Sequence, residues 1–336
     1  MPDRPPLDRP PTSRPRSAPL EPWNDRALPD LYRWLDATGL IRRLLELARD
    51  EDLGPAGIDL TGAAVGDESR ATVGLVAREA GACAGLAVIP GLLDVFGVDV
   101  AFEPEASDGD WFESGTTLAI FTGPLASIVR VERTILNLTS RLSGIATRTG
   151  VFRDEMLASM ARDNARTPRL YDTRKTTPGL RVLEKYAVRC GGGFCHRMGL
   201  HDAVMFKDNH IAGIATDRLA EHARALVENA RAAAATAGIV PAFIEFEADS
   251  LAQLGALLDL ETGMIDAVLL DNMSPEELSE AVALRDARRP SVALEASGGV
   301  SLQTIGSVAV TGVDRISVGG LTHQARSIDL GFDADG

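Results

Sequence analysis

Positive charge is concentrated in one short segment of an acidic sequence. The chain has a net charge of −14, yet basic side chains cluster between residues 174 and 207, among them Arg174, Lys175, Arg181, Lys185, Arg189, His196, Arg197 and Lys207. Arg174 and Lys175 follow one apolar run that is typical of a buried strand, and Lys207 follows another. Because Arg binds a carboxylate or phosphate through two parallel hydrogen bonds and Lys adds a point charge, we interpret these three as anion ligands.

Two isolated carboxylates, Glu247 and Asp271, follow later apolar runs. Carboxylates do not bind anions directly, but they can bind ribose hydroxyls or hold Mg²⁺ through water. Glu245 lies two residues before Glu247 on the same strand face and is the alternative. We prefer Glu247 because it lies nearer the predicted strand end. Many cations beside two carboxylates suit a multiply anionic substrate that carries a sugar and a metal-bridged diphosphate.

Two glycine pairs, Gly298-Gly299 and Gly319-Gly320, follow the last two predicted strands. Glycine lets backbone N–H groups approach a phosphate closely, and a helix start favours negative charge. Parallel α/β barrels often hold phosphate after their last two strands. The two pairs therefore predict a phosphate site.

A glycine triplet, Gly191–Gly193, precedes a cysteine and a histidine. Such a triplet indicates backbone that comes close to a ligand. Cys190, Cys195 and His196 lack the number and spacing of zinc ligands, so we expect no metal there. We expect Cys195 to be partly buried and inert rather than a catalytic thiol.

A regular alternation of apolar runs and helical stretches positions these residues. Helical stretches such as 217–236 and 275–287 separate runs that end near Asp172, Phe206, Phe246, Leu270, Ala296 and Val318. The stretch at 275–287 opens with Ser274–Glu277, an N-cap serine followed by proline and two acidic residues, which predicts a helix start. Repeated strand–helix units favour parallel strands with helical crossovers. The repeat fits a barrel or an open sheet. Polar or glycine residues at six strand ends favour the barrel, whose site draws on many strands.

The first half of the chain predicts a mixed α+β domain. A helix is expected near 38–50 with a stop at 52–55, and short strands are expected at 72–78, 84–89, 98–103 and 117–121. A helix at 125–147 carries an apolar stripe at steps of three and four residues, which predicts a core-facing surface. From pattern alone, two sets of side chains are solvated helix faces: Arg130, Arg133, Asn137 and Arg141 in this helix, and Arg181, Glu184 and Lys185 later.

Composition argues against several classes of partner. With no run of about 18 apolar residues, we expect no membrane-spanning segment. The charge of −14 argues against nucleic acid and anionic lipid as binding partners.

Three cysteines without CxxC spacing predict a reducing compartment, and we expect a cytoplasmic location. Residues 1–22 hold eight of the eighteen prolines, so we expect residues 1–27 to form a disordered tail that is not a secretory signal.

Long motifs in this sequence resemble one family, the quinolinate phosphoribosyltransferases. The similarity runs in the same order over roughly residues 30–330. The matching runs are Asp172–Arg181, Glu184–Gly193, His196–Leu200 and Lys207–His210, flanked by Glu132–Thr134, Arg141–Thr147, Leu270–Pro275, Leu294–Val300 and Gly312–Val318. Motifs of this length are highly specific.

The resemblance implies an α/β fold with two domains. An N-terminal α/β sandwich is placed at 28–140 together with the C-terminal end, about 325–336, and an incomplete, open α/β barrel with parallel strands at 141–324. A homodimer with shared active sites is implied, with dimer and hexamer left open. Arg133 would reach the neighbouring subunit's site, which replaces the solvated-face interpretation for Arg133 but not for Arg130.

The implied reaction joins quinolinate to 5-phosphoribosyl 1-pyrophosphate and yields nicotinate mononucleotide, pyrophosphate and CO₂, a step of NAD biosynthesis. Lys175, Lys207, Glu247 and Asp271 are carried over as catalytic residues. Glu247 and Asp271 would serve a substrate-bound Mg²⁺ indirectly, through water or pyrophosphate, and no organic cofactor is implied. The implied substrate-binding residues are these four with Arg133, Thr173, Arg174, His196, Arg197, Ser297, Gly298, Gly299, Val318, Gly319 and Gly320.

Some positions depart from the family pattern. Cys195 stands where Asn is common, Gly320 where Ala is usual, and Phe246 where a smaller aliphatic residue is common. About three extra residues around Glu261–Met264 are expected to form a loop. The charged set is intact, so the activity is retained as the expectation.

Three alternatives remain. One is a molybdenum-transport-associated homologue with a different substrate, although the intact basic residues favour a dicarboxylate. Another is a catalytically silent anion-binding or scaffold protein, against which Glu247 and Asp271 argue. The third is a phosphate-binding barrel lyase or isomerase in which Lys207 acts as a Schiff-base amine.

Overall fold

The structure is a computed structural model that describes residues 20–65, 69–160 and 167–334. The described residues form two compact units. The barrel unit contains 20–25, 152–160, 167–174 and 194–319, and the sandwich unit contains 26–65, 69–151, 175–193 and 320–334. The sandwich unit thus also takes 141–151, 175–193 and 320–324, which differs from the predicted boundary.

Short elements followed by one long helix make up the first half of the chain. Its helices are α1 (Leu28–Asp36), α2 (Leu40–Leu53), α3 (Leu60–Val65), α4 (Ile89–Phe96) and α5 (Leu125–Ala158). Its strands are β1 (Arg70–Ala77), β2 (Gly81–Ala82), β3 (Ala101–Pro104), β4 (Trp111–Phe112) and β5 (Thr117–Pro124).

Strands and helices alternate in the second half. Its strands are β6 (Arg169–Tyr171), β7 (Val204–Phe206), β8 (Ile244–Ala248), β9 (Ala267–Asp271), β10 (Ala293–Ser297), β11 (Arg315–Ser317) and β12 (Leu330–Ala334). Its helices are α6 (Arg181–Cys190), α7 (Asp208–Ile211), α8 (Thr216–Thr236), α9 (Leu251–Leu258), α10 (Pro275–Arg288), α11 (Ile305–Ala309) and α12 (Gly320–His323).

An antiparallel sheet, ordered β12-β1-β5-β3, forms the strand layer of the sandwich unit. Phe121 of β5 is fully buried, with its ring centroid 5.4 Å from that of Phe102 and 4.9 Å from that of Phe332. The C-terminal strand therefore completes a sheet that the first half begins, and the predicted sandwich is confirmed.

One predicted strand, at 84–89, is wrong. The chain there forms a 3-10 turn at Leu86–Val88 and then α4, with Pro90 in the first helical turn and Gly97 as the left-handed C-cap. Short apolar runs do not distinguish a buried strand from a buried helix. Pro90 and Gly97 were the available helix signals.

The long helix α5 confirms the predicted core-facing stripe and extends it beyond 147. Ile128, Val131 and Ile135 are among its buried positions. Its polar side is not uniformly solvated, because Arg141 binds the Glu184 carboxylate at 2.8 Å and donates to two backbone carbonyls.

The predicted solvated face of α6 is also wrong. Glu184 and Lys185 are fully buried. Besides binding Arg141, Glu184 accepts hydrogen bonds from the backbone N–H and the hydroxyl of Thr177. Sequence spacing alone does not reveal a buried carboxylate whose arginine partner lies 43 residues away.

Six parallel strands, ordered β6-β11-β10-β9-β8-β7, form the sheet of the barrel unit. β6, the first of these strands along the chain, pairs with β11, the last of them along the chain, as in a closing barrel. No pairing joins β6 to β7 among the described residues, so the barrel is open there. All six predicted strand ends are confirmed, and the predicted capping signal of α10 appears as a reciprocal capping box between Ser274 and Glu277.

The prediction of a disordered tail over 1–27 is wrong for its last residues. Residues 1–19 lie outside the described part of the chain. Pro22–Asp25 forms a 3-10 turn, and Glu21, Trp23 and Asn24 are buried in the barrel unit. Composition hid this because the prolines continue to residue 22, whereas the tryptophan that packs comes immediately after.

Within the described ranges, no helix is both long and apolar enough to cross a membrane.

Candidate functional site

A lysine–carboxylate pair lies at the carboxyl edge of the barrel sheet. Lys207 follows β7, and its Nζ is 2.7 Å from Oε2 of Glu247 on β8. His210 supports the lysine backbone, because its Nδ1 accepts the Lys207 N–H at 2.9 Å. The Lys207 side chain is 49% exposed and that of Glu247 only 7%. The pair therefore presents its ammonium outward from a carboxylate that the barrel holds in place.

Three carboxylates converge beside this lysine. The ligand oxygens of Glu247, Asp249 and Asp271 all lie within 4.8 Å of one another. Burial and the neighbouring charges of Glu247 and Asp249 raise the pKa of Asp271, while Lys207 opposes the shift. Sequence reasoning missed Asp249, although its position two residues after Glu247 at the strand end was a usable signal.

This cluster fits a hydrated divalent cation. Mg²⁺ prefers oxygen ligands and keeps several waters while one or two carboxylates and substrate phosphates complete its shell. Repulsion among the three carboxylates is relieved by a cation, and partial exposure leaves room for water. Glu247, Asp249 and Asp271 are the residues that would hold it.

The two carboxylates of β8 have different surroundings. Glu247 reaches the Lys207 edge, whereas Glu245 is fully buried and lies 3.1 Å from His196 Nε2. Glu295 of β10 lies 3.4 Å from the same nitrogen. Glu247 is therefore the glutamate at the candidate site, and Glu245 belongs to an interior charge network.

Arg315 provides the positive charge of that interior network. It lies 2.6 Å from Glu295 and over the ring of Tyr171, 4.1 Å from the centroid. Because this guanidinium already balances the carboxylates, we assign no metal to His196, Glu245 and Glu295, although their ligand atoms also lie within 4.8 Å of one another. Sequence reasoning gave Glu295 and Arg315 no role. The sequence signal that could have identified both residues is a charged side chain inside an otherwise apolar strand.

The network sets the ionisation of His196. Burial lowers the pKa of His196, but Glu295 and Glu245 outweigh it and raise that pKa to about 9. The Arg197 backbone N–H faces Nδ1 at 2.8 Å, which favours an unprotonated Nδ1. Two charged contacts are stronger than one neutral hydrogen bond, so we assign the imidazolium. His196 was predicted to bind substrate; its contacts point inward, and the substrate contact stays a prediction.

A pH-dependent stability follows from this histidine. Its folded pKa, about 9, exceeds the ordinary 6.5, so its contribution is complete below pH 6.5 and disappears as the pH rises through about 9. The wild-type free energy of unfolding should fall across that window by an amount on the order of 1–3 kcal/mol. Urea unfolding of wild type and His196→Gln at pH 6 and pH 9.5 checks this. An equal change in both proteins would contradict it.

Two arginines form the cationic part of the barrel site. Arg174 follows β6, and Arg197 is buried, at 6% exposure. Burial lowers the pKa of Arg197, and the nearby Arg174 guanidinium lowers it further. Within the described ranges no carboxylate lies at salt-bridge distance from Arg197. A buried cation beside another cation is stabilised by an anion, so Arg197 is a candidate anion-binding residue. Thr173 lies next to Arg174, half-buried.

A glycine loop follows β10. Gly298 and Gly299 both have positive φ, at 89° and 63°. A Cβ on Gly298 would lie 2.8 Å from the backbone nitrogen of Asn272 and closer still to its side chain. Ser297, which ends β10, accepts the Asn272 N–H at 2.9 Å. Glycine is therefore required here to bring backbone close to a neighbouring loop, which suits the predicted phosphate site.

The second predicted phosphate loop divides between the units. Val318 and Gly319 belong to the barrel unit, and Gly320 begins α12 in the sandwich unit. Arg148 donates to the Gly320 carbonyl at 2.7 Å. A Cβ at Gly320 would meet Gln324 Oε1 at 2.7 Å, so the usual alanine would displace that side chain.

Two further predicted site residues lie in the sandwich unit. Lys175 is exposed, and its carbonyl accepts the Thr322 hydroxyl at 2.6 Å. Arg133 is exposed on α5 and lines a groove with Glu79, Asn137 and Arg326. Arg130, in contrast, is half-buried, with Nε 3.9 Å from Asp59, so the prediction that it is solvated is wrong.

The structure shows the surroundings of three departures from the family pattern, at 195, 246 and 261–264. Cys195 is 1% exposed and more buried than predicted, and Phe246 is buried against Phe206, with ring centroids 4.5 Å apart. The extra loop is tied to α8, because Arg224 binds Glu261 at 2.7 Å and Arg231 donates to the Gly263 carbonyl. In none of these settings is the charged site altered.

Two family models match this chain. Residues 59–143 match the N-terminal domain of quinolinate phosphoribosyl transferase, and residues 145–333 match its C-terminal domain. These two ranges cover most of the chain and leave out residues 20–25.

Individual relatives agree with the family models. The chain is 41% identical over 302 residues to the nicotinate-nucleotide pyrophosphorylase [carboxylating] of Mycobacterium leprae, covering 88% of this chain and 96% of the relative. It is 33% identical to quinolinate phosphoribosyltransferase [decarboxylating] 1 of Nicotiana glauca, covering 88% and 82%. The solved nicotinate-nucleotide pyrophosphorylase of Francisella tularensis superposes with a TM-score of 0.73 at 32% identity, covering 88% and 96%. The chain belongs to the quinolinate phosphoribosyltransferase family.

Proposed function

We propose that this protein transfers the phosphoribosyl group of 5-phosphoribosyl 1-pyrophosphate to quinolinate and releases nicotinate mononucleotide, pyrophosphate and CO₂. The observation that carries the proposal is the buried Arg197 beside Arg174, with no carboxylate at salt-bridge distance from Arg197 in the described chain. A carboxylate of quinolinate supplies negative charge next to the buried Arg197 guanidinium, whose planar geometry suits bidentate binding. The printed names of the relatives support the same reaction.

The donor substrate is assigned to the lysine and carboxylate edge. As pyrophosphate leaves, the ribosyl carbon gains oxocarbenium character, and negative charge develops on the departing oxygen. Lys207 stabilises that charge as a preorganised cation. The family resemblance adds Lys175 as a second catalytic lysine. Glu247 and Asp271 bind the ribose hydroxyls, and the positive-φ loop at Gly298–Gly299 receives the 5′-phosphate.

A divalent cation bound through Glu247, Asp249 and Asp271 would neutralise part of the pyrophosphate charge. The Lys207 Nζ lies 2.7 Å from Glu247, one of these carboxylates. Its ammonium can therefore shift from Glu247 to the departing pyrophosphate with little movement. We propose Mg²⁺ for the site because the ligands are all oxygens.

The acceptor substrate is assigned to Arg174, Arg197 and His196. When both carboxylates are bound, the ring nitrogen is oriented toward the ribosyl carbon. This positioning makes a bimolecular reaction effectively unimolecular and so lowers its entropic cost. After the nitrogen attacks, its positive charge stabilises the carbanion that forms as the 2-carboxylate leaves as CO₂. Water then donates a proton to that carbon and gives nicotinate mononucleotide. Neither step requires a covalent enzyme intermediate.

We also propose a homodimer with shared sites, in which Arg133 serves the neighbouring subunit. The support is that Arg133 is exposed on α5 and lines a groove within its own unit. An exposed arginine in a groove is available to a second chain. We propose a cytoplasmic location because the three cysteines lack CxxC spacing and are all buried.

The proposed activity is tested by incubating the purified protein with quinolinate, 5-phosphoribosyl 1-pyrophosphate and Mg²⁺ and identifying nicotinate mononucleotide by mass spectrometry. We expect product with quinolinate and none with nicotinate, which lacks the second carboxylate. Lys175→Ala is the matched control, since Lys175 is exposed and its loss leaves the Thr322 contact to its carbonyl in place. Product no greater than in this control would contradict the proposal.

A further inference from the structure

A short segment that precedes the sandwich unit belongs to the barrel unit. Within it, Glu21, Trp23 and Asn24 are buried beside the 3-10 turn at Pro22–Asp25. The segment lies outside both matched family models, which span 59–143 and 145–333. Buried polar side chains need hydrogen-bond partners, and the partners of these three indicate what the segment does.

Trp23 and Asn24 hold the backbone of Cys195. Oδ1 of Asn24 accepts the Cys195 N–H at 2.9 Å. Nδ2 of Asn24 and Nε1 of Trp23 donate to the Cys195 carbonyl at 2.9 and 3.1 Å. Three hydrogen bonds thus fix both polar atoms of the peptide position that immediately precedes His196 and Arg197. Movement of Cys195 would move both of those side chains.

Glu21 is linked to His196 through a series of ion pairs. Its Oε1 lies 2.7 Å from the Arg315 guanidinium, and Arg315 lies 2.6 Å from Glu295, which contacts His196. The Tyr171 hydroxyl donates to the other Glu21 oxygen at 3.1 Å. All of these groups are buried, so their mutual attraction is only weakly screened, and removing one charge disturbs the others.

We propose that Glu21–Asn24 is an N-terminal clamp that positions His196 and Arg197 for the carboxylates of the acceptor substrate. The identity of that substrate rests on the proposed function. Asn24 acts through the Cys195 backbone and Glu21 through Arg315, so the clamp contains positioning residues rather than catalytic ones. None of the clamp contacts described above involves the Gly298–Gly299 loop or the Lys207–Glu247 pair. The clamp should therefore affect the acceptor and spare the phosphoribosyl donor.

Steady-state kinetics of full-length variants test this selectivity. Asn24→Ala should raise the KM for quinolinate about tenfold and leave the KM for 5-phosphoribosyl 1-pyrophosphate within about twofold. Trp23→Phe removes one of the three hydrogen bonds and should raise the KM for quinolinate less. Glu21→Gln keeps the shape of the side chain and should raise the same KM by weakening the hold on Arg315. Asn229→Ala makes the same change at an exposed position of α8 and should alter neither KM.

A stability control separates positioning from general destabilisation. Ile41→Val trims a buried side chain of α2 in the sandwich unit and lowers Tm without touching the clamp. If Asn24→Ala raises both KM values together, or raises them only as much as Ile41→Val at a comparable loss of Tm, the clamp proposal is overturned. Should Asn24→Ala fail to fold, Trp23→Phe and Glu21→Gln are compared in the same way.

Hydrogen exchange distinguishes failure of the clamp from failure of the proposed function. The Cys195 amide should exchange at least about tenfold faster in Asn24→Ala than in wild type, because its acceptor is gone, whatever the substrate. Faster exchange in a protein that makes no nicotinate mononucleotide would contradict the proposed function and support the clamp. Unchanged exchange would overturn the clamp even in an active enzyme.

Discussion

Replacing Lys207 with methionine should lower kcat by about 10²- to 10³-fold, the range typical for loss of one preorganised group that stabilises transition-state charge. The lysine lies 2.7 Å from Glu247 and is 49% exposed, so little folding energy depends on it. The KM for quinolinate should change little, because Arg174 and Arg197 bind that substrate. Initial rates at saturating concentrations of both substrates measure the effect.

Arg224→Met is the matched control for Lys207→Met. Arg224 also forms a 2.7 Å ion pair, with Glu261, and is 42% exposed, but it lies on α8 beside the extra loop. Its loss should leave kcat within about twofold, since exposed ion pairs contribute little. If both variants retain wild-type kcat, Lys207 does not stabilise the leaving group and its catalytic assignment is wrong.

The second large effect concerns Arg133 and requires two subunits. Arg133→Ala alone should lose about 10²-fold in kcat/KM for quinolinate, because a bidentate contact to a carboxylate disappears. Mixing the impaired Arg133→Ala protein with the impaired Lys207→Met protein and allowing the subunits to exchange should restore activity. Random pairing makes about half of the dimers mixed, with one intact site each, so recovery should approach about a quarter of wild type.

The pairing of Lys207→Met with Glu247→Gln is the control for complementation. Both changes fall on one side-chain pair of the barrel unit, so mixing these variants should restore nothing. Absence of recovery in the Arg133→Ala mixture, with subunit exchange demonstrated by mass spectrometry, would mean that Arg133 serves its own subunit or none.

Much of the barrel was predictable because each strand carries a local signal. Six apolar runs end in polar or glycine residues, and all six are strands of one parallel sheet. The capping residues Ser274 and Glu277 predicted the start of α10 for the same local reason. Such patterns depend on neighbours within one turn or strand, which sequence reasoning can see.

The errors occur where distant residues decide the outcome. The spacing of Glu184 is typical of a polar helix face, yet its carboxylate is buried because Arg141 and Thr177 form hydrogen bonds with it. Glu21 lies in a proline-rich stretch, yet it is buried against Arg315, 294 residues away. Pairing of charges across such separations is a tertiary property, and no local pattern encodes it.

For the candidate site residues, too, local sequence signals were informative and contacts between distant residues were not. Glu247 could be separated from Glu245 by its nearness to the strand end, and the structure gives the two glutamates different partners, Lys207 and His196. The strand pattern does not identify Asp249, because it lies one residue beyond the end of β8. The family resemblance supplied the role of Arg133, which its own helix pattern had argued against.

The fate of the 2-carboxylate of quinolinate tests the central claim most directly. Wild-type protein is incubated with Mg²⁺, 5-phosphoribosyl 1-pyrophosphate and quinolinate labelled with ¹³C in that carboxylate. Labelled CO₂, pyrophosphate and nicotinate mononucleotide should then appear in equal amounts, and Lys207→Met should slow all three together. Pyrophosphate release without labelled CO₂, or labelled CO₂ without nicotinate mononucleotide, would contradict decarboxylating phosphoribosyl transfer by this protein.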